Sequence, residues 1–116
     1  MDNEAAIRAL SALAQNTRLD VFRLLVTHEP KGLPAGEIAR QLGVPHNTMS
    51  AHLGLLNRAG LIESARHSRS IIYRADLSAI RRLVAFLLEN CCGDETQCEP
   101  SAADLLFCVT GEPDHE

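Results

Sequence analysis

The chain has 116 residues, 46% of them hydrophobic but only 3% aromatic and none Trp, which is material for one compact domain with an aliphatic core and suits helices packed on helices better than a sandwich. It contains no run of about 18 apolar residues, and Met1–Leu10 lack the basic flank and apolar stretch of a secretion signal, so no membrane partner and a cytoplasmic location are expected. A net charge of -4 would count against a nucleic-acid partner, but it divides into +3 over residues 1–93 and -7 over residues 94–116, where seven acids face no base.

In chain order, Ile7, Leu10 and Ala14 recur at helical spacing, and residues 4–14 form a first predicted helix. Thr17 with Asp20 has the form of a capping box and opens a second helix through Val21, Phe22, Leu24 and Leu25, ended by Glu29-Pro30-Lys31-Gly32. Pro34 suits the first turn of a third helix carrying Ile38, Ala39 and Leu42, and Gly43 supplies the positive φ of a tight turn. A fourth helix runs from near Pro45 to about Ala59 and stops at Gly60. Leu61–Ala65 and Ser70–Tyr73 are short and rich in β-branched residues, and the polar turn Arg66-His67-Ser68-Arg69 between them makes a hairpin. A fifth helix from about Leu77 aligns Leu77, Ile80, Val84, Leu87 and Cys91 in one stripe; Leu83 and Phe86 widen it beyond the needs of one small core, which predicts a dimer seam. Beyond Gly93 the chain is acidic and irregular, with one short helical turn expected at Ser101–Cys108. The expected organisation is a DNA-binding and dimerisation domain over residues 1–93 and an acidic tail over residues 94–116.

Helix, Gly-containing turn, helix and hairpin is the order of a winged helix-turn-helix, a mainly α fold with a β-hairpin wing. Between Pro45 and Ala75, Arg58, Arg66, Arg69 and Arg74 face the single Glu63, with His46, His52 and His67 alongside. This is a surface fit for phosphates, although a solvated basic face would have the same composition. At 100° per residue, Met49, Leu53 and Leu56 share the buried side of the fourth helix, while Asn47, Ser50, Ala51, Gly54 and Arg58 look outward. Small, amide and hydroxyl side chains let a helix sit deep in a major groove and reach base edges. Gly54 costs about 1 kcal/mol in mid-helix relative to Ala, which fits a helix that must approach something closely. Arg66 and Arg69 belong to a wing that reaches an adjacent phosphate or the minor groove. The expected DNA-binding residues are therefore His46, Asn47, Thr48, Ser50, Ala51, His52 and Arg58 on the helix and Arg66 and Arg69 on the wing.

The run from Gly36 to Arg74, with its Leu-Gly turn, Ser50-x-His52-Leu53, Ala59-Gly60-Leu61-Ile62 and a wing ending in Arg69 and Tyr73, resembles the ArsR/SmtB family of metal(loid)-responsive repressors. The segment Asn16 to Leu25 is similar too, and the likeness spans about Ile7 to Asn90. It implies a homodimer joined through the first and fifth helices, bound to double-stranded operator DNA and released by its ligand. Members that sense arsenic at the third helix carry cysteines there, and Leu33–Ile38 has none; members that sense zinc across the fifth helices use Asp-x-His, and Asp76-Leu77-Ser78 lacks the His. Cys91-Cys92-x5-Cys98 is similar to the C-terminal arsenic site of another branch.

All four cysteines fall in the last 26 residues, a clustering that points to metal or redox chemistry. Soft thiolates select soft ions, and trivalent arsenic takes three sulfurs in a pyramid, so Cys91, Cys92 and Cys98 form an expected site for As(III), or Sb(III), as inducer. Structural zinc wants four ligands, usually in spaced pairs, and Cys108 stands apart as a bystander or a fourth ligand for zinc, cadmium or lead. A redox or persulfide switch on the same module is the alternative. A small thiol reductase is disfavoured because Cys91-Cys92 ends a helix, where the dipole opposes a thiolate, so no enzyme is expected.

Overall fold

The computed structural model describes residues 1–89; the cysteines, the expected tail domain and the turn at Ser101–Cys108 lie outside the described residues. Its elements are α1 (Asn3–Leu13), α2 (Asn16–Thr27), β1 (Leu33–Pro34), α3 (Ala35–Leu42), α4 (His46–Arg58), β2 (Ile62–His67), β3 (Ser70–Ala75) and α5 (Leu77–Leu87). This is the expected winged helix-turn-helix, mainly α with a small antiparallel sheet.

Each helix begins where a side chain can satisfy its free N–H groups, or where the sequence supplies none. Asp2 accepts from Ala5 N at 2.9 Å ahead of α1, and Asp76 accepts from Ser78 N at 3.1 Å and from Ser78 Oγ at 2.6 Å ahead of α5. The cap of α2 is Gln15, which accepts from Arg18 N at 2.9 Å, and not the expected Thr17. Arg18 Nε also donates to Ala12 O at 2.7 Å, and this tie from the end of α1 starts the next helix earlier than the capping-box pattern does.

The core gathers Val21, Leu25, Ile38, Met49, Leu53, Leu56 and Leu61, all essentially solvent-free. Helix α1 buries Ala6, Ala9 and Ala12 in it and packs the partly buried Leu13 against it, leaving Ile7 61% and Leu10 43% exposed. On α5, Ala79 and Leu83 are buried, whereas Leu87 is 57% exposed. Leu83 therefore belongs to the chain's own core and not to the apolar surplus expected of it, since it stacks one turn after Ala79 on the inward face.

The sheet has the order β1-β3-β2. Strand β1 pairs Leu33 with Tyr73 and Pro34 with Ile72, so Pro34 precedes α3 as an edge-strand residue, a place a residue without an N–H tolerates, and lies just before the first turn it was expected to occupy. Strands β2 and β3 pair from Ile62↔Ala75 to His67↔Ser70. The turn is thus Ser68-Arg69, tighter than expected, with Ser68 at φ 57.

Candidate nucleic-acid interface

Helices α3 and α4 are joined through Gly43 at φ 66, whose N–H bonds Arg40 O at 3.3 Å while Val44 N bonds Ala39 O at 3.0 Å. The left-handed residue lets the chain reverse within Gly43-Val44-Pro45. Pro45 precedes α4 without a side-chain cap, so the first-turn N–H groups are left to other acceptors, of which Asn47 Oδ1 takes Thr48 N at 2.9 Å. A helix start of this kind favours anions.

The two faces of α4 are as the helical period requires. Met49, Leu53 and Leu56 are buried, and His46, Asn47, Thr48, Ser50, Ala51 and Arg58 are exposed. His52 is the exception among the expected contacts: it is half-buried, with Nδ1 3.4 Å from Arg18 Nη1, and so turned towards α2. Gly54 is partly covered, and a Cβ placed on it would touch only Arg58 Nη1 at 3.5 Å. Packing among the described residues thus has no need of a glycine there.

Arg66, His67 and Arg69 are exposed at the tip of the β2–β3 wing. Arg74, counted in the basic stretch, is engaged by acids: it bonds Glu29 at 2.9 Å and lies 3.8 Å from Glu63. The hydrogen bond it donates to Glu29, then the charges of Glu29 and Glu63, raise its pKa above the ordinary guanidinium value. The pair fastens the wing's base to the loop after α2. Arg40 is likewise engaged within α3, where its hydrogen bond, then that of Gln41, hold Glu37 below the usual carboxylate range. Arg58, Arg66 and Arg69 have no carboxylate within ion-pair distance among the described residues. Sequence reasoning missed the Arg18–His52 and Glu29–Arg74 contacts, which join residues 34 and 45 positions apart, because no local pattern marks either pair.

An exposed helix face of small polar side chains beside a two-stranded arm whose arginines pair with no described acid defines a DNA-binding winged-helix module. Residues 13–65 match the family described as "Helix-turn-helix domain". The chain is 33% identical over 95 residues, 82% of its own length and 80% of the other's, to the biofilm growth-associated repressor of Xylella fastidiosa strain 9a5c. It shares the fold of an ArsR-like transcriptional regulator from Rhodococcus sp. RHA1, with TM-score 0.67 and 23% identity, over 91% of this chain and 92% of that one. It likewise shares the fold of the homodimeric winged helix-turn-helix domain of Mb0332 from Mycobacterium bovis, a possible ArsR-family regulator, with TM-score 0.62, 24% identity and coverage of 84% and 87%. The chain belongs to the same family of helix-turn-helix transcriptional regulators as the Xylella repressor, and it has the winged-helix fold of the ArsR-like neighbours. No helix among the described residues is long and apolar enough to cross a membrane.

Proposed function

We propose that this chain is a homodimeric repressor that binds operator DNA through α4 and the wing and releases it when trivalent arsenic, or antimony, is captured by Cys91, Cys92 and Cys98. The observation that carries the DNA half is the open face of α4, with exposed Asn47, Ser50 and Ala51 beside Arg58, Arg66 and Arg69, none paired with a described acid. Asn47 and Ser50 read base edges, His46 and Thr48 hold phosphates near the helix start, and the wing arginines hold the backbone alongside. His52 positions Arg18 and contributes less to DNA than its exposed neighbours. Dimerisation through α1 and α5 is supported by exposed Ile7, Leu10 and Leu87 and by the homodimeric M. bovis neighbour. Repression follows the naming of the Xylella relative.

The sensor half rests on the donor set. Three thiols suit a soft trivalent ion that forms a three-coordinate pyramid and fall one short of a tetrahedral zinc site. Duplexes selected from a random pool by the reduced protein would serve as operator probes in a fluorescence-anisotropy titration with arsenite, antimonite, zinc, cadmium and peroxide in parallel. Release by arsenite or antimonite alone is the expected result. Release by peroxide without metalloid would replace the reading with a redox switch, and failure to select any duplex would remove the DNA half.

A further inference from the structure

Alongside α4 lies a groove of about 470 Å³ lined by Arg8, Ser11 and Ala12 of α1, Arg18 of α2, and Leu55 and Arg58 of α4. Three guanidiniums rim it and no carboxylate lines it; none of the three is within ion-pair distance of an acid among the described residues. Arg18 is held in place by Ala12 O and His52, so like charges are kept together over an apolar floor that includes Leu55, itself 41% exposed. Such a groove calls for an anionic occupant with an apolar body, because the charges repel one another until an anion sits among them. DNA would answer the charge but not the floor.

We propose that the acidic tail of this same chain docks there through Asp104-Leu105-Leu106-Phe107. Residues 94–116 carry -7, and this segment sets an acid directly before the tail's longest apolar run. Reach is ample. Glu89, the last described residue, lines a cleft with Met1, and Ser11 lies about 15 Å further along α1 at the helical rise. The stretch from residue 90 to Asp104 spans up to ~50 Å when extended. A tethered segment acts at a high effective concentration, so weak contacts suffice. Because Arg58 lies both in the groove and on the helix assigned to DNA, a docked tail competes with DNA. That consequence rests on the DNA reading; the docking itself does not.

The test uses reduced full-length protein carrying a photoreactive benzophenone amino acid in place of Phe107, irradiated without DNA and mapped by mass spectrometry. Adducts within Arg8–Ala12 or Leu55–Arg58 are expected, strongly reduced in Arg8→Glu and, separately, in Leu55→Asp, both changes at partly or fully exposed positions. In a second arm, Leu105→Ser with Phe107→Ser should tighten binding to a labelled random-sequence duplex about threefold to tenfold, as expected when a tethered competitor is removed, and should have no such effect in the Arg8→Glu background. Adducts confined elsewhere, or indifferent to both groove substitutions, overturn the proposal. So does an Arg8→Gln variant that loses affinity for the duplex while no groove adduct forms, which would make the groove a DNA contact. A groove adduct from a protein that fails to bind any duplex would leave docking intact and overturn the DNA reading alone.

Discussion

Gly54 stands in the middle of a helix with room for a methyl group, the built Cβ meeting only the flexible Arg58 Nη1 at 3.5 Å. Glycine there costs about 1 kcal/mol relative to alanine, and nothing among the described residues offsets it. If α4 enters a major groove, closeness to the bases is the compensation. Gly54→Ala should then raise Tm by a few degrees while weakening operator binding about tenfold, the equivalent of roughly 1.4 kcal/mol. Thermal unfolding and anisotropy on one sample check the opposed signs; equal or tighter DNA binding would place this face outside the groove. The arginines separate in the same way. Arg69, free at the wing tip, should on change to Ala weaken binding to all sequences and flatten the salt dependence by about one unit of slope. Arg74, spent on Glu29 at 2.9 Å, should on change to Ala lower Tm and leave that slope unaltered.

At the scale of elements, legibility followed the range of the interaction that makes each one. The inward side of α4 is readable because a period of 3.6 assigns Met49, Leu53 and Leu56 to one face whatever lies opposite. Gly43 is readable because a left-handed residue between close helices is nearly always glycine. Strand β1 was not, since two residues become a strand only by pairing with Ile72 and Tyr73, far along the chain. The inward face of α5 was misjudged at Leu83 because amphipathic spacing cannot tell a helix's own core from a partner's. Helix α1 shows the same ambiguity more sharply: Ala6, Ala9 and Ala12 go inward while Ile7 and Leu10 face outward, the reverse of what a monomer gains from burial. Ile7→Glu with Leu10→Glu should therefore leave the helical circular dichroism of the protein intact and convert a dimer to a monomer in sedimentation at micromolar concentration. An unchanged mass would move the seam away from α1.

For the molecule as a whole, the proposed function places DNA reading and ligand sensing in different stretches of the chain. No three His, Cys, Asp or Glu are gathered as a metal site among the described residues, and the cysteine set Cys91, Cys92 and Cys98 begins just beyond them. Because α5 leads directly into that set and packs on α1, a ligand there can bias the arrangement of the two protomers' α4 helices without touching them. Reciprocity then requires that the inducer bind the free protein more tightly than the DNA-bound one, and a coupling of about 1–3 kcal/mol lowers operator affinity roughly 5–150-fold. Cys91→Ser, Cys92→Ser and Cys98→Ser should each keep wild-type operator affinity and lose release by arsenite, because a serine hydroxyl is a hard, protonated donor that does not replace a thiolate. Cys108→Ser should respond as wild type does. A Cys98→Ser protein that still releases, beside a Cys108→Ser protein that does not, would move the third sulfur to Cys108 while leaving the DNA half of the reading untouched.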